Sequence, residues 1–204
     1  MTDNIVKSPL EMENEYLKVT INSEGTIDIN DKLSGKTYTG MNYYSDRGEA
    51  GNYWINDRPM YDKTFCTPGC PAEIRTETEG PLCGSIVAKV SVNLPADSDK
   101  TRRSRHRKPL EITTRYSLKK GKRQVDVNVT FENHCENHYL KVHFPTDLKG
   151  ATHADAGGHF IVNRRSVTPS GPDEHSYWPD MNTLPQKSFV DLSDANFGLA
   201  VIND

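Results

Sequence analysis

LEITTRYSLKKGKRQVDVNVTF, residues 110–131, decides the fold class. Successive side chains of an extended chain point to opposite faces, so Leu110, Ile112, Thr114, Tyr116 and Leu118 share one side of a first strand. Val125, Val127, Val129 and Phe131 share one side of a second. Between them Lys119-Lys120-Gly121-Lys122 is short, polar and carries a glycine, which joins the two strands as an antiparallel hairpin. The same period continues upstream, where Ile86, Ala88, Val90, Val92 and Leu94 share one face.

Nearer the start, Leu17, Val19 and Ile21 alternate with Lys18, Thr20 and Asn22. The turn Ser23-Glu24-Gly25 then leads into Thr26-Ile27-Asp28-Ile29 and predicts another hairpin. Leu140, Val142 and Phe144 make a strand that Pro145 ends, and residues 189–192 and 198–202 make two more. No segment keeps a helical period over about ten residues. Strands in series without helices predict an all-β chain, an antiparallel β-sandwich. Two Gly-, Pro- and Asn-rich stretches, at about 45–80 and 150–185, read as long loops, where a rigid scaffold usually carries its function. Residues 1–12 read as a linker and 13–204 as the sandwich domain.

Bulk properties narrow the partners. Lys and Arg total 25 against 28 Asp and Glu, a net charge of −3, which predicts no general attraction to nucleic acid or anionic membrane. MTDNIVKSPLEMENEY lacks a basic and apolar leader pattern, and no apolar run is long enough to cross a bilayer; the expectation is a cytoplasmic chain. Cys66, Cys70, Cys83 and Cys135 are too few for a disulfide scaffold and form no paired C-x-x-C zinc pattern, so they read as thiols. With 34% hydrophobic residues and a mean hydropathy of −0.72, the core is thin; docking to something larger, or homo-oligomerisation, would support it.

Candidate chemistry is sparse. DRGEAGNYW, residues 46–54, combines two glycines, three charges and two adjacent aromatics, the groups that cover sugar C–H faces and bind hydroxyls. Asp46, Asn52, Tyr53 and Trp54 are the substrate-binding candidates; the competing reading makes Tyr53 and Trp54 anchors of a long loop. His134, Cys135, His138, His143, His153, Asp155 and His159 are the densest set of metal-ligand types, but their spacing does not converge on one site, and His134 and His138 read as turn or surface residues. Asp46 and Glu49 make a carboxylate pair that spacing alone does not single out from other acids. Lys100 to Lys108 packs six cations into nine residues and reads as a solvated hairpin tip without interleaved aromatics. No residue is assigned a catalytic or metal-binding role.

Several of these segments, taken in order, carry a resemblance. MENEYLKV at 12–19, GTIDINDK at 25–32, DRGEAGNYW at 46–54, NHYLKVHFPT at 137–146, GHF at 158–160, QKSFVDLSD at 186–194 and GLAVIND at 198–204 resemble the C-terminal β-sandwich of family 38 glycoside hydrolases, the α-mannosidases and mannosylglycerate-hydrolase-like enzymes. The resemblance implies a galactose-mutarotase-like sandwich, truncated at its C-terminal end, that supports the catalytic domain of a zinc-dependent retaining α-mannosidase. It places the zinc and the nucleophilic Asp in a preceding catalytic region, with no cofactor in this chain and no hydrolysis by it alone. His153-x-Asp155 imitates the family's zinc motif only in letters. Gly51-Asn52-Tyr53 stands where relatives reach the active-site rim, so Tyr53 is expected to touch a mannoside substrate. A stand-alone carbohydrate-binding module is the alternative, and a basic-loop docking protein a second rival.

Overall fold

The computed structural model describes residues 3–52, 57–168 and 185–203. Tyr53 and Trp54 therefore lie outside the described residues. The described chain is all β, every ladder between its strands is antiparallel, and it forms two compact units, Met1–Pro145 and Thr146–Asp204.

The first unit opens with a five-stranded meander of β1 (Val6–Ser8), β2 (Glu11–Glu13), β3 (Leu17–Ile21), β4 (Ile27–Asp31) and β5 (Thr37–Met41). The linker reading of residues 1–12 is corrected here: β1 and β2 belong to the sheet, and Ile5 and Met12 are buried in the core. The short polar run hid them, because only these two side chains point inward. The β3–β4 hairpin forms as its alternation predicts, with Leu17, Val19, Ile21 and Ile27 buried. Gly25 takes a φ of 81° in its turn, a conformation costly for any residue with a Cβ. An added Cβ there would also crowd Ala72 Cβ at 3.2 Å.

The stretch at 45–80 is less irregular than its composition suggests. It contains the end of β6 (Tyr43–Gly48), then β7 (Phe65–Cys66) and β8 (Ala72–Thr78). Next come the two longest strands, β9 (Cys83–Pro95) and β10 (Arg107–Lys119), paired from Cys83↔Lys119 to Pro95↔Arg107, and then β11 (Val125–Phe131). The order β11-β10-β9-β8 makes one sheet, while β12 (His138–His143) joins β6 and β7 in another. Leu110, Ile112, Thr114, Tyr116 and Leu118 are all buried, as their alternation requires.

Tyr116 ties this sheet to the first. Its hydroxyl donates to the Gly25 carbonyl at 2.7 Å and accepts from Asn42 Nδ2 at 2.8 Å. Burial pushes its phenol well above the usual tyrosine range, so it remains a donor at any ordinary pH. Asn14 works similarly at the other end. Its amide donates to the carbonyls of Lys119 and Lys122, both at 2.7 Å, while its Oδ1 accepts from the backbone of Tyr16 and Leu17. Arg123 clamps Asp31 through Nε at 3.0 Å and Nη2 at 2.6 Å, joining β4 to the β10–β11 connection.

One strand departs from its pattern. Val127, Val129 and Phe131 pair with Tyr116, Thr114 and Ile112, so they lie on the core face, yet they remain 37%, 36% and 42% exposed. β11 is the edge of this sheet.

The second unit is the sheet β14-β13-β15-β16, from β13 (His153–Gly157), β14 (Val162–Ser166), β15 (Phe189–Ser193) and β16 (Gly198–Ile202). The β13–β14 hairpin lies inside the stretch read as a loop; His, Asp, Asn and Arg at alternate positions conceal its period.

Candidate functional site

The long loop after β6 is built from its root. Along β6 the alternation Tyr44, Asp46, Gly48 points into the unit and buries a carboxylate where an apolar residue would ordinarily sit. Asp46 is 2% exposed, and each of its oxygens is engaged: Oδ1 by Arg103 Nη2 and Oδ2 by His138 Nδ1. Arg103 Nη1 reaches the carbonyls of Asp46 and Lys63, each at 3.4 Å. On the far side of His138, Nε2 lies 3.0 Å from Asn133 Oδ1, which also accepts the Cys135 N–H at 3.0 Å. A buried charge is tolerated only when paired and hydrogen-bonded, and this carboxylate is both. Cys135 sits in the apolar cluster with Tyr44, Val90, Leu94, Leu110 and Ile112. Burial pushes its thiol up, the Asp46 carboxylate adds to the effect, and the result is an inert thiol.

Two sequence expectations change at this point. His138 is a strand residue with a buried side chain, not a turn or surface histidine. The basic run is no freely solvated tip either, because Arg103 is 8% exposed and carries the cationic half of the buried pair. Asp46, a substrate-binding candidate in the sequence, is buried with both carboxylate oxygens engaged at the root of the loop.

Above this root the loop is closed by its own backbone. Glu49 Oε1 accepts from Gly51 N at 2.9 Å and Asp57 N at 2.8 Å, and Ala50 N donates to the Asp57 carbonyl at 2.9 Å. Glu49 N donates to the Asn137 carbonyl at 2.9 Å, and Gly48 N to Asp62 Oδ1 at 3.1 Å. Burial works to raise the Asp62 carboxyl, but the Gly48 amide and Arg58 outweigh it and hold the group below its ordinary value. Gly48 has no room for a side chain: a Cβ would lie 2.6 Å from Pro59 Cγ. Asn52 is exposed.

The β9–β10 hairpin meets the same loop. Met60 N donates to the Lys100 carbonyl at 3.0 Å and Tyr61 N to the Thr101 carbonyl at 2.8 Å, so Tyr61 pairs with Arg102 as an isolated parallel bridge. Asp99 Oδ1 caps the hairpin end by accepting from Thr101 N at 2.7 Å and Arg102 N at 2.8 Å. The run thus gains an aromatic neighbour that linear sequence does not show.

Among the described residues the remaining histidines do not assemble. Asp155 is held by Arg164 through two bonds of 2.8 and 2.7 Å, and His153 Nδ1 lies 3.0 Å from Thr152 Oγ1. His143 stacks on Tyr43 and bonds Ser45 Oγ at 2.7 Å. Among the described residues no three His, Cys, Asp or Glu side chains are grouped to hold a metal ion. Cys66, Cys70, Cys83 and Cys135 are free thiols. Sequence reasoning missed the Arg103–Asp46–His138 cluster. Its one readable trace is Asp46 in phase with Tyr44 and Gly48.

Comparison with known proteins gives the family of this all-β chain. Residues 12–204 match the glycosyl hydrolases family 38 C-terminal domain, and the chain belongs to that family. Its fold is similar to that of an α-mannosidase from Enterococcus faecalis V583, with a TM-score of 0.90 and 27% identity over 100% of this chain and 24% of that one. A second Enterococcus faecalis protein of glycosyl hydrolase family 38 matches with a TM-score of 0.87 and 26% identity, covering 100% of this chain and 25% of the other. A putative mannosylglycerate hydrolase of Halalkalibacterium halodurans is 26% identical over 206 residues, 93% of this chain and 22% of that protein. The chain therefore spans about a quarter of the length of these relatives.

Proposed function

We propose that the chain is the non-catalytic β-sandwich portion of a zinc-dependent retaining α-mannosidase, of the galactose-mutarotase-like type. In this reading it supports the catalytic domain and lends its long loop to the rim of the substrate site. The family match over residues 12–204, against relatives about four times longer, carries the reading. Among the described residues no group of His, Cys, Asp or Glu fits a zinc site, and Asp155, His153, His143 and His138 are engaged with Arg164, Thr152, Ser45 and Asp46; in this reading the metal belongs to the catalytic portion.

The loop suits a rim. Asp46, Arg103 and His138 fix its root, Glu49 and Asp62 close its sides, and in sequence Tyr53 and Trp54 follow Gly51 and Asn52. A phenol and an indole there can cover a sugar's C–H face, while Asn52 and the Tyr53 hydroxyl bond its hydroxyls. Hydrolysis of an aryl α-mannoside, zinc analysis after dialysis, and mannose binding by the chain alone test this. The expectation is no turnover and no stoichiometric zinc. Turnover with one tightly held zinc would overturn the accessory role, and tight mannose binding by the chain alone would make it a carbohydrate-binding module.

A further inference from the structure

We infer that Cys66 and Cys70 are a modification site, closing into a reversible intramolecular disulfide when they meet a small dialkyl disulfide such as oxidised glutathione. The inference is independent of the mannosidase reading. The two thiols flank Thr67-Pro68-Gly69, on the connection from β7 to β8. Proline and glycine stand where a type II turn requires them: Cys70 N donates to the Thr67 carbonyl at 2.9 Å, and Gly69, third in the turn, takes a φ of 89°. The chain folds back far enough that Cys70 Sγ lies 3.9 Å from the Cys66 carbonyl oxygen. A hydrogen-bonded turn holds its ends within about 7 Å, close to the roughly 4.4–6.8 Å between Cα atoms that a disulfide spans. Cys66 is exposed, so its side chain is free to rotate towards half-buried Cys70.

The frame around the turn is fixed. Thr67 is buried and exchanges two bonds with Tyr44, its N donating to the Tyr44 carbonyl at 3.0 Å and its Oγ1 accepting from Tyr44 N at 3.0 Å. Gly69 N donates to Glu24 Oε2 at 3.3 Å and Ala72 N to the Ser23 carbonyl at 2.9 Å, while Cys70 packs against the apolar cluster around Tyr44 and Leu110. Little freedom is left to lose when the second sulfur attacks, which raises the effective concentration of one thiol at the other. The other thiols are placed differently: Cys135 is 6% exposed, closed to an oxidant, and Cys83 Sγ meets the Gly84 carbonyl at 4.0 Å. In the first step the Cys66 thiolate attacks one glutathione sulfur, that S–S bond breaks, and one glutathione thiolate leaves and takes up a proton. The Cys70 thiolate then attacks the Cys66 sulfur and releases the second glutathione. Two electrons and two protons pass from the cysteine pair to the glutathione pair. A short, exposed link of this kind is readily reduced again, so it is a reversible mark and not a permanent staple.

Trypsin cuts after Lys63 and Arg75, so both sulfurs fall on one peptide, residues 64–75. The reduced chain is incubated with oxidised glutathione, quenched in acid, alkylated, digested and weighed. The expected product is a 64–75 peptide that has lost two hydrogens and takes up no alkylating agent until dithiothreitol is added. Cys70→Ser should instead accumulate glutathione on Cys66, at least about tenfold above the parent at the same time. The equilibrium constant for closing in the folded chain should exceed that of a synthetic 64–75 peptide at least about tenfold; this comparison separates the folded frame from short spacing and needs no variant to fold. Glutathione on both cysteines of the parent, a closing constant no greater than the peptide's, or a bond from Cys70 to Cys135 would overturn the pair.

Discussion

Replacing Arg103 by Leu isolates the buried charge that holds the loop root. The guanidinium side chain is 5% exposed and Asp46 2%, so neither water nor salt screens the pair appreciably. Arg103→Leu leaves the Asp46 carboxylate with His138 as its remaining side-chain partner and takes the donor from the Asp46 and Lys63 carbonyls. Breaking one half of a buried pair costs about 3–5 kcal/mol. For a chain of this length that lowers Tm by roughly 6–20 °C, read by far-ultraviolet circular dichroism. Arg102→Gln and Arg105→Gln, on the same hairpin but exposed, should move stability by less than about 0.5 kcal/mol. Adding Asp46→Leu to Arg103→Leu should recover part of the loss, because the second change removes the stranded charge, and the double-mutant cycle should show a coupling above about 2 kcal/mol. An Arg103→Leu melt within about 2 °C of the parent, or equal to that of Arg105→Gln, would refute the claim that this pair holds the root.

Three further outcomes follow from the same structure. The Arg123 guanidinium beside Asp31 depresses that carboxyl to about 2, below its unfolded value, so its contribution is complete above about pH 4 and is lost as pH falls towards 2. With Arg123 half exposed the loss is about 1 kcal/mol; a carboxyl NMR titration measures the shift, and Arg123→Gln should raise the Asp31 midpoint. Tyr116→Phe strands the Gly25 carbonyl and takes one acceptor from Asn42 Nδ2, costing about 1–3 kcal/mol in urea denaturation, and an unchanged midpoint would mean water replaces the hydroxyl. Tyr53→Phe in the full-length enzyme should lower kcat/KM for mannosides by an amount equivalent to about 1–3 kcal/mol while leaving zinc content untouched; if only Tyr53→Ala matters, and through stability, Tyr53 is an anchor.

Alternation made β3 and β10 legible, since each buries one face and leaves the other open to solvent; β9 keeps an alternating sequence although both its faces are buried over residues 84–88. It failed elsewhere. β1 and β2 are too short for a period to show, β14 carries polar residues on both faces, and β13 sets only two alanines against His153 and Asp155. The stretch at 46–54 was legible as the start of a loop. Its support was not, because Arg103 meets Asp46 across 57 residues, and a basic run gives no local sign of which member turns inward. His138 was obscured for the same reason: Asn133 to Asn137 reads as a turn, while the partner that buries the imidazole lies 92 residues away. Pairing of Tyr61 with Arg102 likewise exists only once the hairpin is folded against the loop.

β11 also governs how the chain behaves in a tube. Val125 to Phe131 is a seven-residue strand with one charge, Asp126, and no proline, and at the border of its sheet it offers a row of ladder groups beside a half-bare apolar stripe. Such a border is a template for other chains. Concentrated stocks of the 204-residue polypeptide should therefore gel or seed fibrils from this strand first. A lysine in place of Val127 or Val129 would act as a gatekeeper, lengthening shelf life without touching the loop or the basic run.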